Sequence, residues 1–276
     1  MVHKQSKRVR RQQSESIPTS LHTGMQLAEV KPWGRGQMLY LDGAESSYLD
    51  ADPSVLEFEY HQHMNILAHS QGRVQRGLHL GGAGCALARS WVAAWPGSEQ
   101  VAVEVDAKLA DMVRLWFVLP RAPALRIRVG DATEVIGAVR PGSFTAVVRD
   151  VFAQSQVPAA VLGKNFAADC LRAVGTDGFV AYNLTSSAGW AQVRAEVGDL
   201  RGALDMVGQD FREDAVTELP IFGPQLVAIA DPRVMGRARK GNIVLGARYC
   251  GWDIEFLERE CRKLALPARM YFLRDF

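Results

Sequence analysis

Three carboxylates and a glycine turn stand out because each lies at the end of a short stretch that reads as a strand. Gly81-Gly82 follows Leu78-His79-Leu80, Glu104 closes Val101-Ala102-Val103, and Asp131 follows Gly130 just after the run 125–129. Asp150 follows Phe144-Thr145-Ala146-Val147-Val148, with Arg149 between. An ionised carboxylate offers two acceptor oxygens and no donor, so Glu104 suits the two hydroxyls of a ribose. Its spacing from the glycines also matches that of the acidic residue in a nucleotide-binding βαβ unit. Asp131 suits the exocyclic amine of adenine, and Asp150 suits an attacking amine that it could orient or deprotonate. Gly81 and Gly82 allow a tight turn that presents the first N–H groups of a helix, starting near Cys85, to a ligand. Plainer readings stand beside these: Glu104 as a helix-capping or surface carboxylate, Asp131 as a helix cap, and Asp150 in an ion pair with a nearby arginine.

Such residues act together only if strands deliver them to one rim. The stretches 78–80, 101–104, 125–129, 144–148 and 178–183 read as strands, and stretches such as 106–117 and 158–174 between them read as helices. Alternation of this kind predicts an α/β fold with a mostly parallel sheet and helices on both faces. Ligands of such sheets lie at the carboxyl ends of the strands, where Gly81-Gly82, Glu104, Gly130-Asp131 and Asp150 all fall. Gly82 and Gly84 are followed by Leu87 where a third glycine would complete a dinucleotide fingerprint. That argues for a nucleoside without a pyrophosphate.

The remaining chain divides around this unit. Residues 1–23 begin with Lys4, Lys7, Arg8, Arg10 and Arg11, continue with a Ser/Gln run, and read as a disordered basic tail. Residues 24–70 read as a small β-hairpin and helix region, with a turn at Lys31-Pro32-Trp33-Gly34 and another at Asp42-Gly43. Asp52-Pro53-Ser54 reads as a helix start that puts Leu56, Tyr60, Met64 and Leu67 on one face, which makes Tyr60 also a fitting core residue. Residues 71–276 form the main domain. In it 225–230 and 242–247 are two more strands joined by a basic turn with Arg233, Arg237, Arg239 and Lys240, and 254–264 is a closing helix. The stretch 207–224 shows no clear pattern. A hydrophobic share of 48% with 22% charged residues over 276 positions is ordinary for a soluble globular enzyme. No apolar run nears the roughly 20 residues of a membrane span, and the basic start lacks the apolar core of a signal peptide, so a cytoplasmic protein is expected. Four cysteines without a Cys-x-x-Cys pair predict neither a zinc site nor a disulfide framework, and no metal is expected. A net charge of +2, carried partly by the tail, gives nucleic acid little to bind beyond the tail and the basic turn.

In order along the chain, Leu41-Asp42-Gly43, Glu57-Phe58-x-Tyr60-His61, His79-Leu80-Gly81-Gly82, Val103-Glu104-Val105-Asp106, Gly130-Asp131-Ala132 and Asp150 before Val157-Pro158 make up a set. This set resembles the spermidine synthase family of polyamine aminopropyltransferases, and more closely its divergent, spermidine-synthase-like actinobacterial branch. The resemblance implies a methyltransferase-like Rossmann fold with a small N-terminal β region, assembled as a dimer or higher oligomer. It implies transfer of the aminopropyl group of decarboxylated S-adenosylmethionine, a co-substrate rather than a tightly bound cofactor, to a small amine acceptor, with release of methylthioadenosine. By the resemblance Glu104 holds the ribose, Asp131 the adenine, and Asp150 positions the attacking amine, with Tyr60 and His61 where the two substrates meet.

The chain also departs from the family pattern. Gly84 and Gln62 stand where the family usually has an aspartate and a glutamate, Ser46 replaces a glutamine, and Ala153 replaces a second aspartate. Burying an ammonium without an anionic partner costs several kcal/mol. One reading is therefore an aminopropyltransferase in which Asp150, helped by Glu45 or Glu57, handles an unusual amine. The other is a small-molecule methyltransferase using S-adenosylmethionine, or a catalytically silent adenosyl-binding protein.

Overall fold

The computed structural model describes residues 17–82, 84–153, 156–214, 221 and 223–273. Four strands, β1 (Ser20–His22), β2 (Leu27–Trp33), β3 (Gly36–Leu41) and β4 (Ala44–Leu49), pair antiparallel in that order. The expected hairpin is thus the middle of a four-stranded sheet. The run Lys4 to Arg11 lies outside the described residues, but Ser20–His22, read as tail, is strand β1 paired with β2. Two features hold it there: Leu21 packs against the apolar cluster that includes Trp116, and the Trp116 indole donates to the Pro18 carbonyl at 2.7 Å.

The helix expected at Asp52 begins later, as α1 (Glu59–His69). Asp52 accepts from the Ser54 N–H at 2.9 Å and from its hydroxyl at 2.8 Å, so its oxygen closes a local turn and caps no helix. The main domain follows as β5 (Arg76–Leu80), α2 (Ala86–Ala94), β6 (Glu99–Glu104), α3 (Ala107–Trp116), β7 (Leu125–Val129), α4 (Ala132–Gly137) and β8 (Ala146–Arg149). It continues with α5 (Lys164–Val174), β9 (Phe179–Thr185), α6 (Trp190–Asp214), β10 (Leu226–Ala230), α7 (Pro232–Met235), β11 (Asn242–Ala247), α8 (Ile254–Cys261) and β12 (Arg269–Phe272). The unpatterned stretch from 207 is helix α6 as far as Asp214, and β12 is a strand that the sequence did not announce.

The sheet order is β12-β10-β11-β9-β8-β5-β6-β7, with β5 to β9 parallel and β10 to β12 antiparallel. From β5 the chain winds outward through β6 and β7, then returns to β8 on the other side of β5. The strand order reverses between β5 and β8, which is where α/β sheets open a crevice. One face of the sheet is covered by α4, α5 and α6 through residues such as Ile136, Leu171 and Leu200, and the other by α1, α2 and α8 through Leu67, Trp91 and Leu257. The small sheet docks Ala28, Val30, Leu39 and Leu49 against Leu109, Val113 and Trp116 of α3. Burial of each large side chain there is worth about 1.5–3 kcal/mol, enough to fix the small sheet over the rim. Among the described residues no helix is long and apolar enough to cross a membrane, and no group of side chains is arranged to hold a metal ion.

Candidate active site

A cleft of about 1100 Å³ opens at the reversal point, floored by the carboxyl ends of the parallel strands and walled by β3, β4 and the start of α1. Gly81, Gly82, Glu104, Asp131, Asp150, Tyr60 and His61 all line it.

Gly81 has φ +83°, and a Cβ there would lie 2.3 Å from the Asp150 carbonyl oxygen, so only glycine lets β5 and β8 meet this closely. The Gly81 and Gly82 N–H groups donate to the Val103 carbonyl at 3.1 and 2.9 Å, Gly84 N–H to the Ser47 hydroxyl at 3.2 Å, and Cys85 N–H to the Gly82 carbonyl at 2.7 Å. The turn therefore contributes room, and these four donors serve the protein itself, while Ala86, Leu87 and Ala88, the first residues of α2, line the cleft.

On one side of the turn, Glu104 is buried at the end of β6 and its Oε1 accepts from the Asp106 N–H at 3.0 Å. Asp106 caps α3 through the Leu109 N–H at 3.1 Å and also accepts from the Thr23 hydroxyl and, at 3.4 Å, the Gln26 amide, both from the turn that joins β1 to β2. Asp131 does cap a helix. Its Oδ1 takes the Thr133 N–H at 2.8 Å, the Glu134 N–H at 3.4 Å and the Thr133 hydroxyl. The Thr133 hydroxyl and N–H hold this carboxyl below the usual carboxylate range, and Oδ2 stays outside these bonds.

On the other side stands Asp150. Its Oδ1 accepts from Asn183 Nδ2 at 2.8 Å, and Asn183 Oδ1 in turn accepts from Asn242 Nδ2 at 2.9 Å. Its Oδ2 lies 3.7 Å from His61 Nε2, and Tyr60 lines the cleft beside His61. Burial and the Asp150 charge push the Tyr60 phenol well above its ordinary range, so it remains a donor. The Tyr60 and His61 rings are 4.3 Å apart, which keeps both at this carboxylate. Arg149, the obvious candidate for an ion pair with Asp150, instead pairs with Glu196 of α6 and lies 4.2 Å over the Tyr182 ring. His79 also lines the cleft, but it is bonded to Gln100 at 3.0 Å and burial pushes it down to about 4, so it is neutral near pH 7. Asn183 and Asn242 were missed from sequence. The signal was a polar residue ending the apolar run Phe179-Val180-Ala181-Tyr182.

No protein-family model and no curated protein matches the chain. A probable spermidine synthase from Corynebacterium glutamicum superposes with a TM-score of 0.77 at 26% identity, covering 93% of this chain and 91% of that one. The chain is spermidine-synthase-like. Spermidine synthase from Thermotoga maritima, at 16% identity, TM-score 0.56 and coverage of 89% of this chain and 77% of that one, shares the fold. A spermidine synthase in complex with the transition state analogue AdoDATO does so too, at 15% identity and TM-score 0.54 over 89% of this chain and 77% of that one.

The departures of this spermidine-synthase-like chain have local causes. A Cβ at Gly84 would lie 2.6 Å from Ser47 Cβ, so β4 fills the space a side chain at 84 would need. Gln62 points away from the cleft and donates to the Leu56 carbonyl at 2.7 Å, so a missing carboxylate there takes no charge from the site. Ala153 lines the cleft, as does Glu45, whereas Glu57 is exposed outside it. Restoring the family residue by Gly84→Asp is accordingly expected to lower stability by about 1–3 kcal/mol through overpacking, and Ser47→Gly in the same chain to recover part of it. Thermal unfolding of the single and double variants checks this, and an unchanged midpoint for Gly84→Asp would mean that β4 moves aside freely.

The electrostatics of the cleft are one-sided. Asp42, Glu45, Glu104, Asp131 and Asp150 line it, and among the described residues no lysine or arginine does. The basic turn is engaged elsewhere: Arg233 and Arg239 pair with Asp231, Arg239 also with Glu59, and Arg237 lies 4.9 Å over the Trp190 ring.

Proposed function

We propose that this chain transfers the aminopropyl group of decarboxylated S-adenosylmethionine to an amine acceptor and releases methylthioadenosine. The observation that carries this reading is the cleft lined by five carboxylates and, among the described residues, no lysine or arginine. Decarboxylated S-adenosylmethionine brings a sulfonium and an ammonium, and a polyamine acceptor brings further ammonium groups. All of them suit an anionic cleft. S-Adenosylmethionine adds an α-carboxylate, which would be desolvated beside like charge at a cost of several kcal/mol. The likeness to the Corynebacterium glutamicum protein supports the same reading.

The residues then divide the work. Glu104 accepts from the ribose hydroxyls, and the unbonded Oδ2 of Asp131 accepts from the adenine amine. Asp150 accepts from the acceptor amine. The amine lone pair attacks the propyl carbon attached to the sulfonium; the C–N bond forms as the C–S bond breaks, and its electron pair turns the sulfonium into the thioether of methylthioadenosine. The surplus proton of the new ammonium passes to Asp150. His61 stands 3.7 Å from that carboxylate and Tyr60 packs against His61, so both keep it aimed at the amine.

Calorimetric titration with decarboxylated S-adenosylmethionine, S-adenosylmethionine and methylthioadenosine, with and without putrescine or spermidine, tests the proposal. The expected result is preference for the decarboxylated form, tightened by an amine. Preference for S-adenosylmethionine with no effect of amine would make the chain a methyltransferase, and no binding at all would make it catalytically silent. A homodimer belongs to the same reading, and sedimentation at the mass of one chain would remove it.

A further inference from the structure

We propose that Asn242 is a positioning residue that fixes the amide orientation of Asn183 and, through it, the proton affinity of Asp150. An ionised carboxylate only accepts, so the group that Asn183 turns to Asp150 Oδ1 at 2.8 Å must be its NH2. That leaves Asn183 Oδ1 aimed at β11, where Asn242 Nδ2 donates at 2.9 Å. Asn183 is 2% exposed, so water does not replace either partner. A flipped Asn183 amide would set oxygen against oxygen at Asp150 and NH2 against NH2 at Asn242, which leaves buried groups unmatched.

The antiparallel register explains why these two asparagines meet. Asn242 pairs with Thr185, two residues beyond Asn183, which makes them diagonal neighbours on one face of the sheet. The start of β11 is also clamped to the end of β9: Gly241 N–H donates to the Ser186 hydroxyl at 3.0 Å and Ser186 N–H to the Gly241 carbonyl at 2.9 Å. Around Asp150 the titratable groups are Tyr60 and His61 from α1 and His79 from β5, while Asn183 is the donor from β9. His61 faces Oδ2, so the Asn242–Asn183 pair governs Oδ1.

The catalytic consequence rests on Asp150 acting as proposed above, but the placement can be tested without turnover. The carboxyl carbon of Asp150 is titrated by 13C NMR in the full chain, with Asp150→Asn for assignment, in the wild type, Asn242→Leu, Asn183→Leu and the double variant. Asn242→Leu is expected to raise the titration midpoint by more than about half a pH unit, because a donor to the charged form is no longer held in place. Asn183→Leu is expected to raise it at least as far, and the double variant to match Asn183→Leu alone, because Asn242 acts only through Asn183. A midpoint unmoved by Asn242→Leu, or two shifts that add in full, would overturn the proposal. Should a leucine variant not fold, alanine at the same position gives the same reading. A shift in the midpoint in a chain without aminopropyl transfer would uphold the Asn242 assignment and count against the proposed reaction alone.

Discussion

Asp150→Asn is expected to lower aminopropyl transfer by roughly 10³-fold, within the usual range for losing a positioned general base, while methylthioadenosine affinity changes less than about twofold. The division follows from geometry. Asp150 sits at the end of β8 against Tyr60, His61 and Asn183, on the opposite side of the glycine turn from Glu104 and Asp131. The amide keeps the size of the carboxyl and one acceptor oxygen, so packing survives, but it carries no charge for an ammonium and takes up no proton. Single-turnover rates and calorimetry on the same preparation check both halves. If nucleoside affinity falls as far as the rate, the separation of the two half-sites is wrong.

The second large effect belongs to Glu104. Glu104→Ala is expected to weaken methylthioadenosine by about 2–3 kcal/mol, roughly 30- to 150-fold, the scale of hydrogen bonds to a charged group. Part of any loss comes from the Asp106 N–H, which loses its acceptor. Glu104→Gln separates the contributions, because a side-chain oxygen remains for that N–H while the charge facing the ribose is gone. An affinity unchanged in Glu104→Ala would remove Glu104 from the site.

The two half-sites differ in how far the sequence exposed them. Strands β5, β6, β8 and β9 hold short apolar runs buried within the sheet, so the residues that end them were legible as rim residues from the start, and the edge strand β7 was legible only through Leu125, Ile127 and Val129 alternating with two arginines. From its spacing Tyr60 was legible only as an apolar-face residue of a helix, and the family resemblance alone put it at the site. That it turns into the cleft depends on where α1 begins, and the local turn made by Asp52 concealed that start. Short strands such as β1 and β12 carry too few residues for a period to show. The pairing of Asn183 with Asn242 depends on the register of two antiparallel strands, which no spacing along the chain encodes. The same holds for Gln62. By family position it counted as a lost carboxylate, and only its bond to the Leu56 carbonyl shows that it faces away from the cleft.

Asp106 is shared between the two sheets: it caps α3, its N–H steadies Glu104, and it accepts from Thr23 and Gln26. The N-terminal sheet and the nucleotide-type domain are thus not interchangeable modules. A chimera that exchanged the first 50 or so residues for those of a relative would keep this site only if a donor pair equivalent to Thr23 and Gln26 came with them. Divergence in this protein is bound by the same rule, since a change on one side of that carboxylate constrains what the other side can become.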